Sequence, residues 1–369
     1  MAPKLETWLI LLPILSFFNL HYFVVAKPQV PCYFIFGDSG VDNGNNLGLK
    51  STGKADFRPY GVDLPSGVPT GRFTNGRTAT DLLAELLGFN TYPPPYVTVS
   101  GEEILAGVNY GSSGAGIRQE SGRLLGDRFT MDEQLKNHLL IASRIADILG
   151  SNEAATKHLN KCIYSLTLGS NDFIGNYFVP VFPTRELYTI HRWCDVVIKR
   201  YGQQLRTLYN YGARKIVTFS LQRLGCAPAV IAVHGGRRSR DPGNIYCIEK
   251  ISRAAELFNG RLLTLVDELN AELPDAKFVY VDIFTQKPTD LIPYGFKVVN
   301  TACCKLPPGT LGFCLPGGMP CEDRDDYVFW DGYHTSEAVN KIIANKSYTS
   351  MSPDGVYPIN IAQLAKLQI

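Results

Sequence analysis

The chain has 369 residues, 45% of them hydrophobic and 19% charged, with a formal net charge of +2 and a pI near 8.0. That hydrophobic content is enough to build a substantial core and excludes a disordered chain. The near balance of charge excludes a generally basic nucleic-acid-binding surface, and the one basic cluster, Arg237-Arg238-Ser239-Arg240 after Gly235-Gly236, is expected to be a solvated turn.

The chain opens with basic Lys4, an apolar run from Trp8 to Phe18 and small residues at Val24-Val25-Ala26, which predicts a signal peptide over residues 1–26 and a mature domain over residues 27–369. The run is too short to span a bilayer comfortably, and no later stretch reaches the ~20 apolar residues of a transmembrane helix. Residues Ile359 to Ile369 carry neither an anchor tail nor a retention signal. A secreted protein without a stable membrane anchor is expected, in the extracellular (cell wall) space or the vacuole.

Strands are predicted at Cys32 to Phe36, Ile104 to Asn109, Cys162 to Leu168, Lys215 to Ser220 and Lys277 to Val281. Between them, Thr78 to Leu87 sets Leu82, Leu83, Leu86 and Leu87 on one helical face. Asp132 to Leu149 does the same with Leu135, Leu139, Ile145 and Ile148 and stops at Gly150. Further helices are predicted at Asp195 to Tyr209, Glu249 to Leu273 and Ser336 to Ala344. This alternation implies the α/β class: a single three-layer α/β/α domain on a central, mostly parallel, five-stranded sheet. Ligands of such sheets sit beyond the carboxyl ends of the strands, where Ser39, the Gly111 to Gly116 loop and Asn171 would meet.

Nine cysteines, at 32, 162, 194, 226, 247, 303, 304, 314 and 321, suit an oxidising compartment, and the odd number leaves at least one unpaired. The Cys303 to Cys321 cluster lacks paired C-x-x-C spacing and a histidine at ligand distance, so loop-stapling disulfides are expected there rather than zinc, with the connectivity open. Asn345-Lys346-Ser347 is a glycosylation sequon. Gly48 to Lys54 fits a phosphate loop only until Ala55, where a Ser or Thr is needed, and no G-x-S-x-G elbow is present.

The residues that carry chemistry lie at opposite ends of the chain. Ser39, in Gly37-Asp38-Ser39-Gly40 just past the first strand, is the candidate nucleophile. His334 is the candidate base, and Asp331, three residues earlier, the group that fixes its tautomer. Trp330 is expected to wall the site, and Tyr92, Tyr96, Phe178 and Phe182 either line an acyl groove or pack on the surface. Asn171 offers a side-chain amide and the Gly111 to Gly116 loop offers backbone N–H groups for an oxyanion.

Taken with Val41-Asp42-Asn43-Gly44-Asn45-Asn46, Gly71-Arg72-Phe73-Thr74-Asn75-Gly76-Arg77, Gly107-Val108-Asn109-Tyr110, Leu168-Gly169-Ser170-Asn171-Asp172, Tyr211-Gly212-Ala213-Arg214-Lys215 and Phe329-Trp330-Asp331-Gly332-Tyr333-His334, these blocks resemble the plant GDSL esterase/lipase family of the SGNH hydrolases. The resemblance implies a flavodoxin-like fold and a secreted serine hydrolase that uses no cofactor or metal. It further implies Ser39, Asp331 and His334 as the triad, and Ser39, Asn171 and a second-block glycine, here Gly114 with Ser113 close behind, as the oxyanion hole. The substrate implied is an acyl ester or lipid-like molecule. Capture of the acyl-enzyme by an alcohol acceptor would make the protein an acyltransferase, and loss of the elbow would make it a non-catalytic lipid- or glycan-binding protein. Three positions depart from the family pattern: Gly40 stands where a leucine is usual, Thr335 where a proline is usual, and Ser113 in a variable second block. Gly40 frees the backbone at the turn, and Thr335 leaves His334 less restrained.

Overall fold

A strand that is apolar at every position has to be covered on both faces, because successive side chains point to opposite sides. Strand β1 (Tyr33–Gly37) is buried throughout: Phe34 and Phe36 enter one core, Tyr33 and Ile35 the other. Strands β2 (Ile163–Thr167), β3 (Lys215–Phe219) and β4 (Lys277–Val281) repeat the pattern and lie parallel to β1 in the order β1-β2-β3-β4. The computed structural model describes residues 27–235, 246–283, 287–309, 311–351 and 355–369; the leader and the Arg237-Arg238-Ser239-Arg240 cluster lie outside the described residues.

Helices cover both faces, giving the three layers the sequence predicts. Helix α1 (Ala79–Leu86) starts at a capping box between Thr78 and Asp81, and α2 (Met131–Leu149) starts at one between Thr130 and Glu133 and stops at Gly150, whose φ is 82°. Helices α2, α3 (Ile190–Asn210) and α4 (Glu249–Glu272) pack on the Phe34 side. Helices α1, α5 (Glu337–Thr349) and α6 (Ile361–Lys366) pack on the Ile35 side. No helix among the described residues is long and apolar enough to cross a membrane.

Two expectations are corrected. The predicted strand from Ile104 to Asn109 is a 3₁₀ turn over Gly101–Ala106 followed by isolated bridges from Asn109 to Ile35 and to Pro95. Gly107, at φ 117°, crosses so close to β1 that a Cβ there would lie 2.0 Å from the Tyr33 carbonyl oxygen, which leaves no room for a regular strand. The fifth strand is β7 (Val356–Tyr357), antiparallel to β4, and a separate pair, β5 (Val298–Ala302) with β6 (Tyr327–Phe329), stands apart from the main sheet. On α2 the buried stripe runs through Gln134, Leu135, His138, Ile141 and Ile145, while Leu139 and Ile148 are exposed. Two polar residues in the stripe mislead an apolar count, and one of them, Gln134, bonds to Gly37 at the end of β1.

The disulfides are Cys32–Cys162, Cys226–Cys247, Cys303–Cys321 and Cys304–Cys314, with Cys194 free and buried. The Cys303 to Cys321 cluster is thus two loop staples.

Candidate active site

Ser39 leaves the end of β1 through a turn that tolerates no side chain at Gly37, where a Cβ would lie 2.4 Å from Val41 and 2.8 Å from the Thr167 carbonyl. The Gln134 amide grips this residue on both sides, accepting from Gly37 N–H at 3.0 Å and donating to Gly37 O at 2.8 Å. Beyond the serine, Val41 N–H and Asp42 N–H both donate to Asp38 O, and Gly40 N–H donates to Asp38 Oδ1 at 2.9 Å. The buried Asp42 carboxylate accepts from Gly44, Asn45 and Ser113 N–H groups, so one side chain ties the elbow to the Gly111 to Gly116 loop. Asn45 and Asn46 donate across the same gap to Gly111 O and Ser113 O. Burial outweighs these donors and pushes the Asp42 carboxyl up to about 6. Asp38 is likewise raised to about 6 by burial, with Gly40 N–H and His334 pulling it back down.

His334 lies on the turn that follows β6. Its Nε2 is 2.7 Å from Ser39 Oγ and its Nδ1 is 2.8 Å from Asp331 Oδ2 and 2.9 Å from Oδ1. Nδ1 facing a carboxylate carries the proton, so Nε2 is left to accept from the serine hydroxyl. Asp331 is fully buried, and its Oδ1 also accepts from Tyr333 and His334 N–H, which folds the turn back on its own carboxylate. Thr335 supplies restraint of its own: its hydroxyl donates to Asn340 on α5 at 2.7 Å and its carbonyl accepts from Thr74 Oγ at 3.0 Å.

Asn171 follows β2 on a short helical turn begun by Gly169, whose φ is 121°. One Nδ2 hydrogen donates to Ala115 O at 2.9 Å, and the residue lines the same cleft as Ser39 and His334. The Ser113 N–H is taken by Asp42, whereas Ser39 N–H and Gly114 N–H have no acceptor among the described residues. Gly114 itself stands one residue behind the cleft wall that Ser113 forms.

The cleft has a volume of about 390 Å³ and is mostly apolar, with Leu124, Leu125, Ile174 and Phe178 on one flank and Leu224 and Val230 on another. Of the four aromatics singled out in the sequence, Phe178 lines it; Tyr92 donates to Glu85, Phe182 stacks on Arg123 and Tyr96 packs against Tyr110. Trp330 does not wall the site. It is fully buried behind the turn, where its backbone N–H donates to His334 O, and the ring against His334 is that of Phe73, at 4.9 Å. Phe73 falls within one of the family-like blocks, and the 261 positions separating it from His334 leave no local signal of their contact. Cys32, His158 and Cys162 form a cluster of metal-ligating residue types, but its two sulfurs are joined to each other.

The family model described as GDSL-like Lipase/Acylhydrolase matches residues 33–347. GDSL esterase/lipase At1g29660 of Arabidopsis thaliana is 46% identical over the whole of both chains, and GDSL esterase/lipase At1g29670 of the same plant is 44% identical, again over the whole of both. GDSL esterase/lipase At4g18970, also from Arabidopsis thaliana, is 45% identical over 93% of this chain and 94% of its own. The resemblance carried by the sequence blocks is borne out.

Proposed function

The chain belongs to the GDSL-like lipase/acylhydrolase family and is a carboxylic ester hydrolase; from that premise we propose that it works through an acyl-Ser39 intermediate on lipid-like or acylated substrates. His334 Nε2 takes the Ser39 proton as Oγ attacks the acyl carbonyl, then returns it to the departing alcohol. Asp331 holds the imidazole and stabilises its charged form. The Ser39 N–H and the Asn171 amide receive the oxyanion, with the Gly114 N–H as third donor. Water, activated by the same histidine, releases the acid; an added alcohol competing for the acyl-enzyme would turn the outcome to transfer.

The observation that carries this reading is the 2.7 Å contact between Ser39 Oγ and His334 Nε2 at the floor of an apolar cleft. The apolar lining supports a lipid-like acyl group. Four disulfides among the described residues and the leader over residues 1–26 support export to the cell wall space or the vacuole, with residues 27–369 as the mature domain.

The test is intact-mass analysis after exposure to a fluorophosphonate, with Ser39→Ala alongside. One adduct on the wild-type protein, mapped to Ser39 and absent from the variant, is expected. Folded protein that takes no adduct, or takes it elsewhere, overturns the mechanism.

A further inference from the structure

The Asp331 carboxylate has a partner that neither the Asp331-Gly332-Tyr333-His334 turn nor the elbow supplies. Tyr60, on the loop before Arg72, is fully buried and donates its hydroxyl to Asp331 Oδ2 at 2.7 Å, across 271 residues of sequence. The direction of that bond is fixed by a second one: Cys314 N–H donates to the same phenol oxygen at 3.2 Å, and no other acceptor for the hydroxyl proton lies among the described residues. Cys314 is in turn stapled to Cys304, whose N–H donates to Trp330 O, next to Asp331 in sequence. The ring is clamped edge-on by Phe57 at 5.3 Å and Phe73 at 5.7 Å, and Phe73 also covers His334.

We infer that Tyr60 is a positioning residue: its hydroxyl and the disulfide-bound loop behind it hold Asp331, and through Asp331 the His334 imidazole, in line with Ser39. Without it Oδ2 would be left to the His334 Nδ1–H alone, and the carboxylate would be anchored only by its own turn, through the Tyr333 and His334 N–H groups on Oδ1. A hydroxyl donated to a carboxylate in a buried site is a charge-assisted bond, among the stronger neutral-to-ion contacts available to a side chain. It also shares the Asp331 charge, so removing the hydroxyl leaves more of that charge facing the imidazole.

The titratable groups facing the Asp331–His334 pair are Asp38 from the elbow, Tyr60 from its loop and Tyr333 from the turn itself. Asp38 titrates near the same range as a histidine, so the acid limb has to be compared between two proteins rather than assigned in one.

The inference rests on Asp331 orienting His334, and the experiment separates the two claims. Tyr60→Phe keeps the ring and removes the hydroxyl. Expected is a fall in kcat of roughly tenfold to hundredfold with KM nearly unchanged, the size of a lost hydrogen bond to a charged group, together with an upward shift of the acid limb of kcat/KM. A wild-type profile, or a lower rate with an unmoved acid limb, overturns the positioning role. If Tyr60→Phe does not fold, 3,5-difluorotyrosine at position 60 keeps the packing and strengthens donation; a downward shift of the acid limb supports the inference and an unmoved one overturns it. Asp331→Asn run in parallel tells which claim has failed: full activity there refutes the orienting aspartate, while a crippled Asp331→Asn beside a silent Tyr60→Phe refutes only Tyr60.

Discussion

Ser39 and His334 meet across 2.7 Å but are held by unlike means. The candidate nucleophile stands at the end of a main-sheet strand, in a lattice of amide and carboxylate hydrogen bonds from Gln134, Asp38, Asp42, Asn45 and Asn46. The candidate base follows the separate β5–β6 pair on a turn backed by two disulfides, the Phe57 and Phe73 rings and the Tyr60 phenol. The elbow is thus tied by hydrogen bonds to α2 and to the Gly111 to Gly116 loop. The turn off the sheet bonds to its own Asp331 carboxylate and to α5, and the rest of its support comes from covalent staples and packing collected from distant segments.

On the proposed mechanism the two halves form one chemical unit, and the largest expected effect tests that. Ser39→Ala and His334→Ala should each lower kcat by about 10⁶, and the double variant should be no worse than either, because groups that act as a unit are grossly non-additive. Measured kcat values that multiply in the double variant would mean that nucleophile and base contribute separately.

The staples distinguish position from strength. Cys304→Ser with Cys314→Ser opens a short loop, of separation 10, that touches Tyr60, whereas Cys32→Ser with Cys162→Ser opens one of separation 130 at the amino ends of β1 and β2, away from the site. By loop-closure entropy the second pair should cost about 4–5 kcal/mol of stability and the first about 3 kcal/mol. Only the first should lower kcat, by roughly tenfold, because it alone frees the donor on the Tyr60 oxygen. Urea unfolding and kcat on both proteins check this; equal kcat in the two would break the link between staple and base.

These contrasts also account for what the sequence revealed. The elbow was legible because Ser39, Asp42, Asn45 and Asn46 fall within a few residues of a strand end, and the layers followed from β1 being apolar throughout and β3 and β4 mainly so after an opening lysine. The base and its orienting carboxylate were legible for the same local reason, lying three residues apart. What supports them was not: Tyr60 is 271 positions from Asp331, and aromatic packing leaves no periodic trace. The false strand at Ile104 to Asn109 came from counting apolar residues across Gly107, where a close backbone crossing decides the conformation. The misplaced face of α2 came from counting apolar residues alone, which takes in the exposed Leu139 and Ile148 and passes over the buried Gln134 and His138.

The polar lattice should also show itself in pH dependence. The Asp42 carboxyl is raised to about 6 by burial, so the folded protein holds that proton where the unfolded chain, at the ordinary aspartate value of 3.8, has released it. Its contribution to stability is therefore full below about pH 4 and is lost as pH rises through about 6. Asn at this position cannot titrate. Asp42→Asn should be less stable than wild type at low pH, since its amide must face the Ser113 N–H, but the deficit should shrink between pH 4 and 6, by up to about 1.4 kcal/mol per pH unit. Taking the difference between the two proteins removes the opposite trend from His138, whose burial lowers it to about 3. A deficit that stays constant or grows with pH would show that the N–H donors, not burial, decide the charge of Asp42.

The smallest effect is expected at Gly40, and the reason lies in which half of the site it belongs to. Its N–H is already committed to Asp38 Oδ1, and a Cβ placed there would meet only that same oxygen, at 3.3 Å. The residue is exposed, and its φ lies outside the left-handed region that favours glycine. The elbow is therefore fixed by the surrounding lattice rather than by a side chain at position 40, and Gly40→Leu asks the backbone for nothing new. Restricting the unfolded chain should raise stability by about 0.4–1 kcal/mol, with kcat on short esters kept within about twofold. Because Gly40 lines the cleft, the added side chain should show mainly as a higher KM for esters with bulky groups next to the carbonyl. A tenfold loss on short esters would mean that the lattice depends on backbone freedom at this residue, and the contrast between a self-sufficient elbow and a propped base would not hold.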